Sequence, residues 1–287
     1  MLPSQSGKSY KSGYYDSSYE YFSLEYAKSQ FDTTAYVSEL LAAGYVKTQG
    51  GSENMYAKPV GHTSYLVTFS DGYIYYSTAI YDEVVSYSDL LAQIFLRGFD
   101  TARFDRFVKI DGMEGNYFLL SSYSSSCTIL ISNGAVTLEA YAQALLNAGY
   151  VAKANAENVY VKGDDETTVR LSIYYGFLMI EYSDNRIIYK SFSEVAALAA
   201  AQGFDSWRLD YVLAPTQTGN IYALNYAWSN AMTFYYDKDA FDVDAYKAQL
   251  VAAGYTKDGN EYSKGDASVY ISTSNHSIQL TSSGSNS

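Results

Sequence analysis

The stretch YKAQLVAAGY at residues 246–255 decides how the chain is read, because it occurs three times. Residues 141–150 read YAQALLNAGY and residues 36–45 read YVSELLAAGY, so Gly44, Gly149 and Gly254 stand 105 residues apart, twice. A second series lies between them, LAQIFLRGFD at 91–100 and AALAAAQGFD at 196–205, again 105 apart. The five glycines are therefore separated by 54, 51, 54 and 51 residues. Self-similarity at a fixed period marks a repeat architecture. A short unit has been doubled, and the doubled unit repeated.

Each copy reads as a helix with marked ends. About ten residues of helix-forming sequence precede each glycine, which is expected at the C′ position, where positive φ is cheap only for glycine. The next residue is aromatic in every copy: Tyr45, Phe99, Tyr150, Phe204 and Tyr255. In a Schellman cap that residue packs back on the C3 position, here Leu40, Ile94, Leu145, Ala199 and Leu250. Asp32, Thr137 and Asp242 stand four residues before the shared tyrosine of the first series, where an N-cap belongs. The second series opens SYSD at 86–89 and SFSE at 191–194. Both have the Ser-x-x-acid form of a capping box, with Asp fitting less well than Glu.

Strands are expected after each helix. Following Gly149 come NVYVK at 158–162, a turn at Gly163 and Asp164, VRLSIY at 169–174, a turn at Tyr175 and Gly176, and FLMIEY at 177–182. Alternation between turn residues is the signature of an antiparallel meander. The second series reads alike, with strands expected at 107–110, 117–120 and 127–131. One copy leaves a sheet face its single helix does not cover, whereas two side by side give a six-stranded sheet under two helices. The expected fold class is α+β: tandem αβββ repeats forming two-layer sandwiches, each an antiparallel meander sheet with helices on one face. Domains are expected at 10–78, 84–183 and 188–283, after a disordered N-terminal segment at 1–9. The first is short. Its strands around YEYFSLEY at 19–26 stand where a second-series hairpin belongs, with no helix before them. On this reading the chain starts inside a repeat, as the C-terminal part of something longer or as a degenerate end cap.

Composition narrows the function. Of 287 residues, 48% are apolar, enough to bury cores, and only 17% are charged, with a net charge of −12. An acidic chain repels phosphate backbones, which argues against nucleic acid and anionic membrane surfaces as partners. No run of roughly 18 apolar residues is present, so no membrane-spanning helix is expected. The opening MLPSQSGKS is polar and does not read as a signal peptide; an extracellular location would need an export signal outside the chain. Tyrosine is the outlier, 33 against 13 Phe and 2 Trp. Its strand propensity suits half-wet sheet faces. It also suits a recognition surface, giving contact area at low entropic cost.

Two stretches carry a resemblance, Leu250 to Asp266 and Leu145 to Asp164. Their order of helix, small residues, Gly-Tyr, strand, Tyr-x-Lys-Gly-Asp and hairpin resembles the repeat regions of uncharacterised secreted lipoproteins of anaerobic low-GC Gram-positive bacteria. That resemblance covers nearly the whole chain and implies a cell-envelope or extracellular location and no known activity. The chain has no lipobox cysteine to anchor it. At fold level the helix-plus-meander tandem is similar to PepSY-like and β-lactamase-inhibitor-like domains, which bind other proteins.

Candidate chemistry is sparse. Cys127 is alone, so no intramolecular disulfide forms, and its apolar run CTILI suits a buried small hydrophobe. His62 and His276 fall in different turns with no partner at ligand spacing. Asp237, Asp239, Asp242 and Asp244 alternate as in a calcium loop but lack its central Gly and terminal Glu. They read better as a strand-to-helix loop capped by Asp242. No phosphate-binding or nucleophile motif is present, so no catalytic residue, metal or cofactor is expected.

The candidate binding residues are Trp207, Trp228, Tyr222 and Tyr226. The position one repeat before Trp228 falls in YSSSC at 123–127, without a Trp, and a purely structural Trp would more often recur. The expected function is a non-catalytic extracellular or cell-surface repeat protein, a binding module or spacer whose ligand is a polysaccharide or a protein. The alternatives are a protein inhibitor or regulatory module of the β-lactamase-inhibitor-like type, and a carbohydrate-active enzyme built on paired carboxylates.

Overall fold

The computed structural model of the chain describes residues 10–16, 21–27, 29, 31–48, 54–61, 63–70, 72–80, 85–123, 125–131 and 136–284. The segment 1–9, expected to be disordered, and His62 lie outside the described residues. The described residues form three six-stranded antiparallel sheets of one topology. The first holds β1 (Tyr10–Asp16), β2 (Tyr21–Tyr26), β3 (Val46–Lys47), β4 (Met55–Val60), β5 (Thr63–Ser70) and β6 (Tyr73–Ile80), with helix α1 (Thr33–Ala42) between β2 and β3. Helix α2 (Tyr87–Leu96) and a 3-10 helix at Thr101–Arg106 lead into the second. That sheet has β7 (Tyr117–Ser122), β8 (Ser126–Ile131), helix α3 (Leu138–Asn147), β9 (Val151–Ala152), β10 (Val159–Lys162), β11 (Thr167–Tyr174) and β12 (Phe177–Asp184). Helix α4 (Phe192–Ala201) and a 3-10 helix at Ser206–Asp210 lead into the third. It has β13 (Tyr222–Trp228), β14 (Ala231–Tyr236), helix α5 (Val243–Ala252), β15 (Thr256–Asp258), β16 (Glu261–Lys264), β17 (Ala267–Ser272) and β18 (Ser277–Ser282).

In every sheet the opening hairpin joins the meander through its second strand, which pairs with the last strand of the meander. The order is β1-β2-β6-β5-β4-β3, and likewise β7-β8-β12-β11-β10-β9 and β13-β14-β18-β17-β16-β15.

The expected αβββ unit is corrected. A second-series copy has two strands, and the stretch 107–110 expected as a strand is irregular. Phe107 is buried beside Tyr87 there, 6.3 Å between ring centroids, and the Val108 carbonyl accepts the Tyr141 hydroxyl at 2.8 Å. Those contacts hold the backbone out of a ladder. A first-series copy has four strands, because the residues after the aromatic cap form a short extra strand, β3, β9 or β15. The two halves of the doubled unit are thus α-3-10-ββ and αββββ.

The helix ends follow from the sequence. All five C′ glycines take φ between +84° and +101°. In each copy the following aromatic residue donates its N–H to the C3 carbonyl, at 2.9 Å for Tyr45 to Leu40 and 3.0 Å for Tyr255 to Leu250. Asp32, Thr137 and Asp242 accept backbone N–H groups at the starts of α1, α3 and α5. Ser191 and Glu194 complete a reciprocal capping box on α4. On α2 the Ser86 hydroxyl donates to the shorter Asp89 and accepts its N–H, and the neighbouring Tyr87 N–H donates to Glu114.

By packing, the molecule falls into two compact units. One comprises the described residues up to Leu90 with Phe107–Ser121 and Cys127–Ser183. Its first sheet buries Tyr36 and Leu40 of α1 against Tyr56, Val67, Phe69, Ile74 and Tyr76. Within the same unit the turn after β11 meets the β4–β5 hairpin: Ser64 donates to the Tyr175 carbonyl, and a Cβ at Gly176 would lie 2.6 Å from Pro59 Cδ. The other unit comprises Leu91–Arg106, Ser122–Ser126 and residues from Asp184 onward. Its core joins Val195, Ala199, Tyr246 and Leu250 of α4 and α5 to Met232, Phe234, Val269, Ile271, Ile278 and Leu280 of the third sheet. Burying such aliphatic side chains contributes about 1.5–3 kcal/mol each. Among the described residues no helix is long and apolar enough to cross a membrane.

Candidate functional site

Strand β13 has the sequence YALNYAW and forms one edge of the third sheet. Strict alternation would put residues 223, 225 and 227 on one face. The register shifts between Leu224 and Tyr226, so Asn225 is the extra residue of a β-bulge. Ala223 then pairs with Tyr235, Tyr226 with Thr233 and Trp228 with Ala231. Across the pleat Tyr222, Ala227, Met232, Phe234 and Tyr236 belong to the helix-side core. The bulge therefore sets Ala223, Tyr226 and Trp228 together on the face opposite that core.

Trp228 is 63% exposed, and its ring lies 5.0 Å from that of Tyr226 at 39°. Trp207 sits on the neighbouring 3-10 helix, with the Arg208 guanidinium 4.4 Å over its ring and Tyr211, 60% exposed, edge-on at 5.7 Å. Two hydrogen bonds tie that helix to the turn after Trp228. The Asp205 N–H and Arg208 Nε both donate to the Ser229 carbonyl, at 3.1 and 2.9 Å. The 3-10 helix that carries Trp207 is thus anchored beside the end of β13 that carries Tyr226 and Trp228.

Tyr222 is not part of that surface. It is fully buried among Phe192, Phe234 and Phe241, with its hydroxyl donating to the Gln217 carbonyl at 3.2 Å. Burial pushes its pKa up. Its place in the alternation, one residue before Ala223 and on the core side, is the reason. The comparison of copies also changes for Trp228. Its repeat equivalent 105 residues earlier, Tyr123, is 67% exposed, so an exposed aromatic ring at the end of the hairpin's first strand is a property of both copies.

A second feature adjoins this end and was missed in the sequence. A polar recess of about 220 Å³ is lined by Gly98 and Asp100, by Asn185 and Arg186, by Leu198 of α4 and its C-cap Gln202, and by Ala223, Asn225 and Tyr235 of the sheet. Its charges are matched. Arg186 Nε donates to both oxygens of the fully buried Asp184, at 3.0 and 2.9 Å, and its outer nitrogens hold Asp105. Arg103 donates to the carbonyls of Asp184 and Arg186, and its Nη1 lies 3.9 Å from Asp184 Oδ1. Lys190 Nζ lies 3.1 Å from Asp100 Oδ1. Hydrogen bonding from Arg186 holds the Asp105 carboxyl below the usual range, and Asp184 first, then Asp105, raises the Arg186 pKa.

One signal could have exposed this recess. One repeat earlier the positions of Ala223, Asn225 and Tyr235 hold Phe118, Leu120 and Leu130. There Phe118 and Leu130 are buried with Phe177. The third sheet has exchanged apolar bulk for small and polar side chains.

The other candidates have structural roles. Cys127 is buried, and desolvation pushes its thiol pKa well up. His276 sits in a turn with its ring edge-on to Tyr236 at 5.9 Å. Asp237 accepts the Asp239 N–H, Asp242 caps α5, and Asp244 pairs with Lys247 at 2.9 Å. Among the described residues no three His, Cys, Asp or Glu side chains come together to hold a metal ion. Comparison with known protein families, curated proteins and solved structures gave no match.

Proposed function

We propose that this is a non-catalytic repeat protein of the cell surface or extracellular medium that binds polysaccharide at the aromatic end of its third sheet, its remaining copies acting as spacer. The observation that carries the reading is Trp228, a large apolar ring left 63% exposed beside Tyr226 on the sheet face opposite the core. Aromatic faces stack on the C–H faces of sugar rings as they stack on one another, by apolar contact and ring electrostatics. A second aromatic pair, Tyr211 and the Arg208-backed Trp207, belongs to the 3-10 helix tied to the turn after Trp228. Beyond β14 the same face presents small polar residues, Gln279 and Thr281 of β18 and Ser268 of β17, paired across the ladder. These offer hydroxyl and amide partners to a hydroxylated ligand. The acidity of the chain and its resemblance to secreted repeat regions favour the location.

The test is retardation of the purified chain in gels containing soluble cell-wall and plant polysaccharides. Specific retardation that disappears in Trp228→Ala, with unchanged thermal stability, supports the reading. Absence of retardation across the panel, together with recovery of one stoichiometric protein partner, would replace it with the inhibitor or regulatory module.

A further inference from the structure

We infer that the recess between α4 and the bulged edge of β13 is a binding pocket for a single neutral pyranose residue. The inference rests on the carbohydrate reading of the adjoining aromatic end for its ligand class, and it adds a separate site.

Size, charge and lining each point the same way. At about 220 Å³ the recess holds the volume of roughly seven waters at ~30 Å³ each, below the ~300–1,000 Å³ of pockets for drug-sized ligands. One sugar ring with its hydroxyls fills such a space, and an oligosaccharide does not. The two cations at its wall, Arg103 and Arg186, are faced by Asp184 and Asp105, and Asp100 of the wall is paired with Lys190. An anionic ligand would have to displace a carboxylate from a preformed pair, whereas a neutral one leaves the pairs intact. Asn185, Gln202 and Asn225 line the recess, and each amide is both donor and acceptor, as hydroxyl recognition requires. Ala223, Leu198 and the Tyr235 side chain supply an apolar patch for the C–H face of a ring.

The departure from the repeat is the strongest sign of purpose. The second sheet buries Phe118 and Leu130 at the equivalent positions, with Leu120 exposed, whereas the third sheet, with Ala223, Asn225 and Tyr235, opens a recess there. The bulge at Asn225 belongs to the same device: bulges re-aim side chains and occur beside functional sites. It also leaves Ala223 on the face that carries Tyr226 and Trp228. A chain end seated in the recess therefore runs on along β13 toward the aromatic platform.

The experiment titrates the full chain with a panel of methyl glycosides of neutral hexoses and N-acetylhexosamines, followed by calorimetry and by amide NMR shifts. Sialic acid and inorganic phosphate serve as anionic probes. The expected result is millimolar-range binding of one or more neutral glycosides with shifts at Asn185, Gln202 and Asn225. Ala223→Phe, which restores the residue of the preceding copy, abolishes that binding, and Gln202→Ala weakens it at least several-fold in a chain whose core is untouched. Trp228→Ala leaves glycoside binding unchanged while losing polysaccharide retention, so the pocket and the platform fail separately. Binding of the anions in place of neutral sugars, no shift with any glycoside, or undiminished affinity in both Ala223→Phe and Gln202→Ala overturns the assignment.

Discussion

At the scale of single residues, the repeated tyrosine of the first-series helices is a core residue with a built-in partner. Tyr141 and Tyr246 are fully buried, and their hydroxyls donate to the carbonyls of Val108 and Leu213, which are themselves 105 residues apart. In the first sheet Tyr36 meets the Tyr76 hydroxyl at 2.8 Å instead. Tyr246→Phe leaves the Leu213 carbonyl without its donor and is expected to cost about 1–3 kcal/mol in denaturant unfolding. The C′ glycines separate two costs. Gly149→Ala meets nothing within 4 Å and carries only the left-handed backbone strain, about 1–2 kcal/mol. Gly98→Ala carries that strain and also places a Cβ 2.5 Å from Gln202 Cγ, which displaces the side chain that donates to the Gly98 carbonyl. It is expected to lower the melting temperature more than Gly149→Ala. Trp228→Ala, at an exposed site, is expected to change stability by no more than ~0.5 kcal/mol.

At the scale of elements, each first-series helix is closed by a lysine from the following hairpin. Lys58, Lys162 and Lys264 donate to the carbonyls of Ala43, Ala148 and Ala253, at 2.6 to 2.8 Å, and lie over the rings of Tyr45, Tyr150 and Tyr255. A cation at the negative end of a helix dipole is favourable. Lys264→Ala is expected to cost about 0.3–1 kcal/mol and to speed hydrogen exchange in the last turn of α5. The Tyr-x-Lys pattern was visible in the sequence, but its job was not, because the helix and the strand meet only in three dimensions. The 3-10 arginines form a second repeated device. Arg103 and Arg208, 105 residues apart, each bind two carbonyls at the end of a meander, Asp184 and Arg186 in one case and Ser282 and Gly284 in the other. The N-terminus of α4 carries a pH dependence. The Ser191 hydroxyl and N–H hold the Glu194 carboxyl below its ordinary range. A depressed folded value means the cap contributes above the unfolded carboxylate pKa, ~4.3, and is lost as pH falls through the folded one. Amide exchange at the start of α4, corrected for intrinsic rates, is expected to rise on acidification below that range, and Glu194→Gln is expected to remove the rise.

At the scale of the molecule, one topology written three times places its differences where function is sought. Sheets of equal order require the same core positions to be filled in every copy, so a polar substitution in one copy marks a released constraint. The net charge of −12 sets the background against which a ligand approaches. Contact with a neutral polysaccharide through aromatic rings does not depend on that field. Retention in neutral-polysaccharide gels is therefore expected to persist at high salt, where exposed charges are screened beyond a few ångström. Loss of retention on adding salt would point to an ionic contact and away from Trp228.

The sequence by itself determined the period, the five helices, their caps and the meander strands, because each is a local matter: a glycine at positive φ, an aromatic residue folding back one turn, alternation at a spacing of two. It also named Trp228 and Tyr226 as candidates. Only the tertiary structure decided that 107–110 is irregular, that Tyr222 faces the core, that the hairpin docks on the last meander strand, and that a recess opens beside Asn225. Each of these turns on which residues distant in the chain come into contact, and a one-residue bulge is enough to reverse the face on which every later side chain of a strand stands.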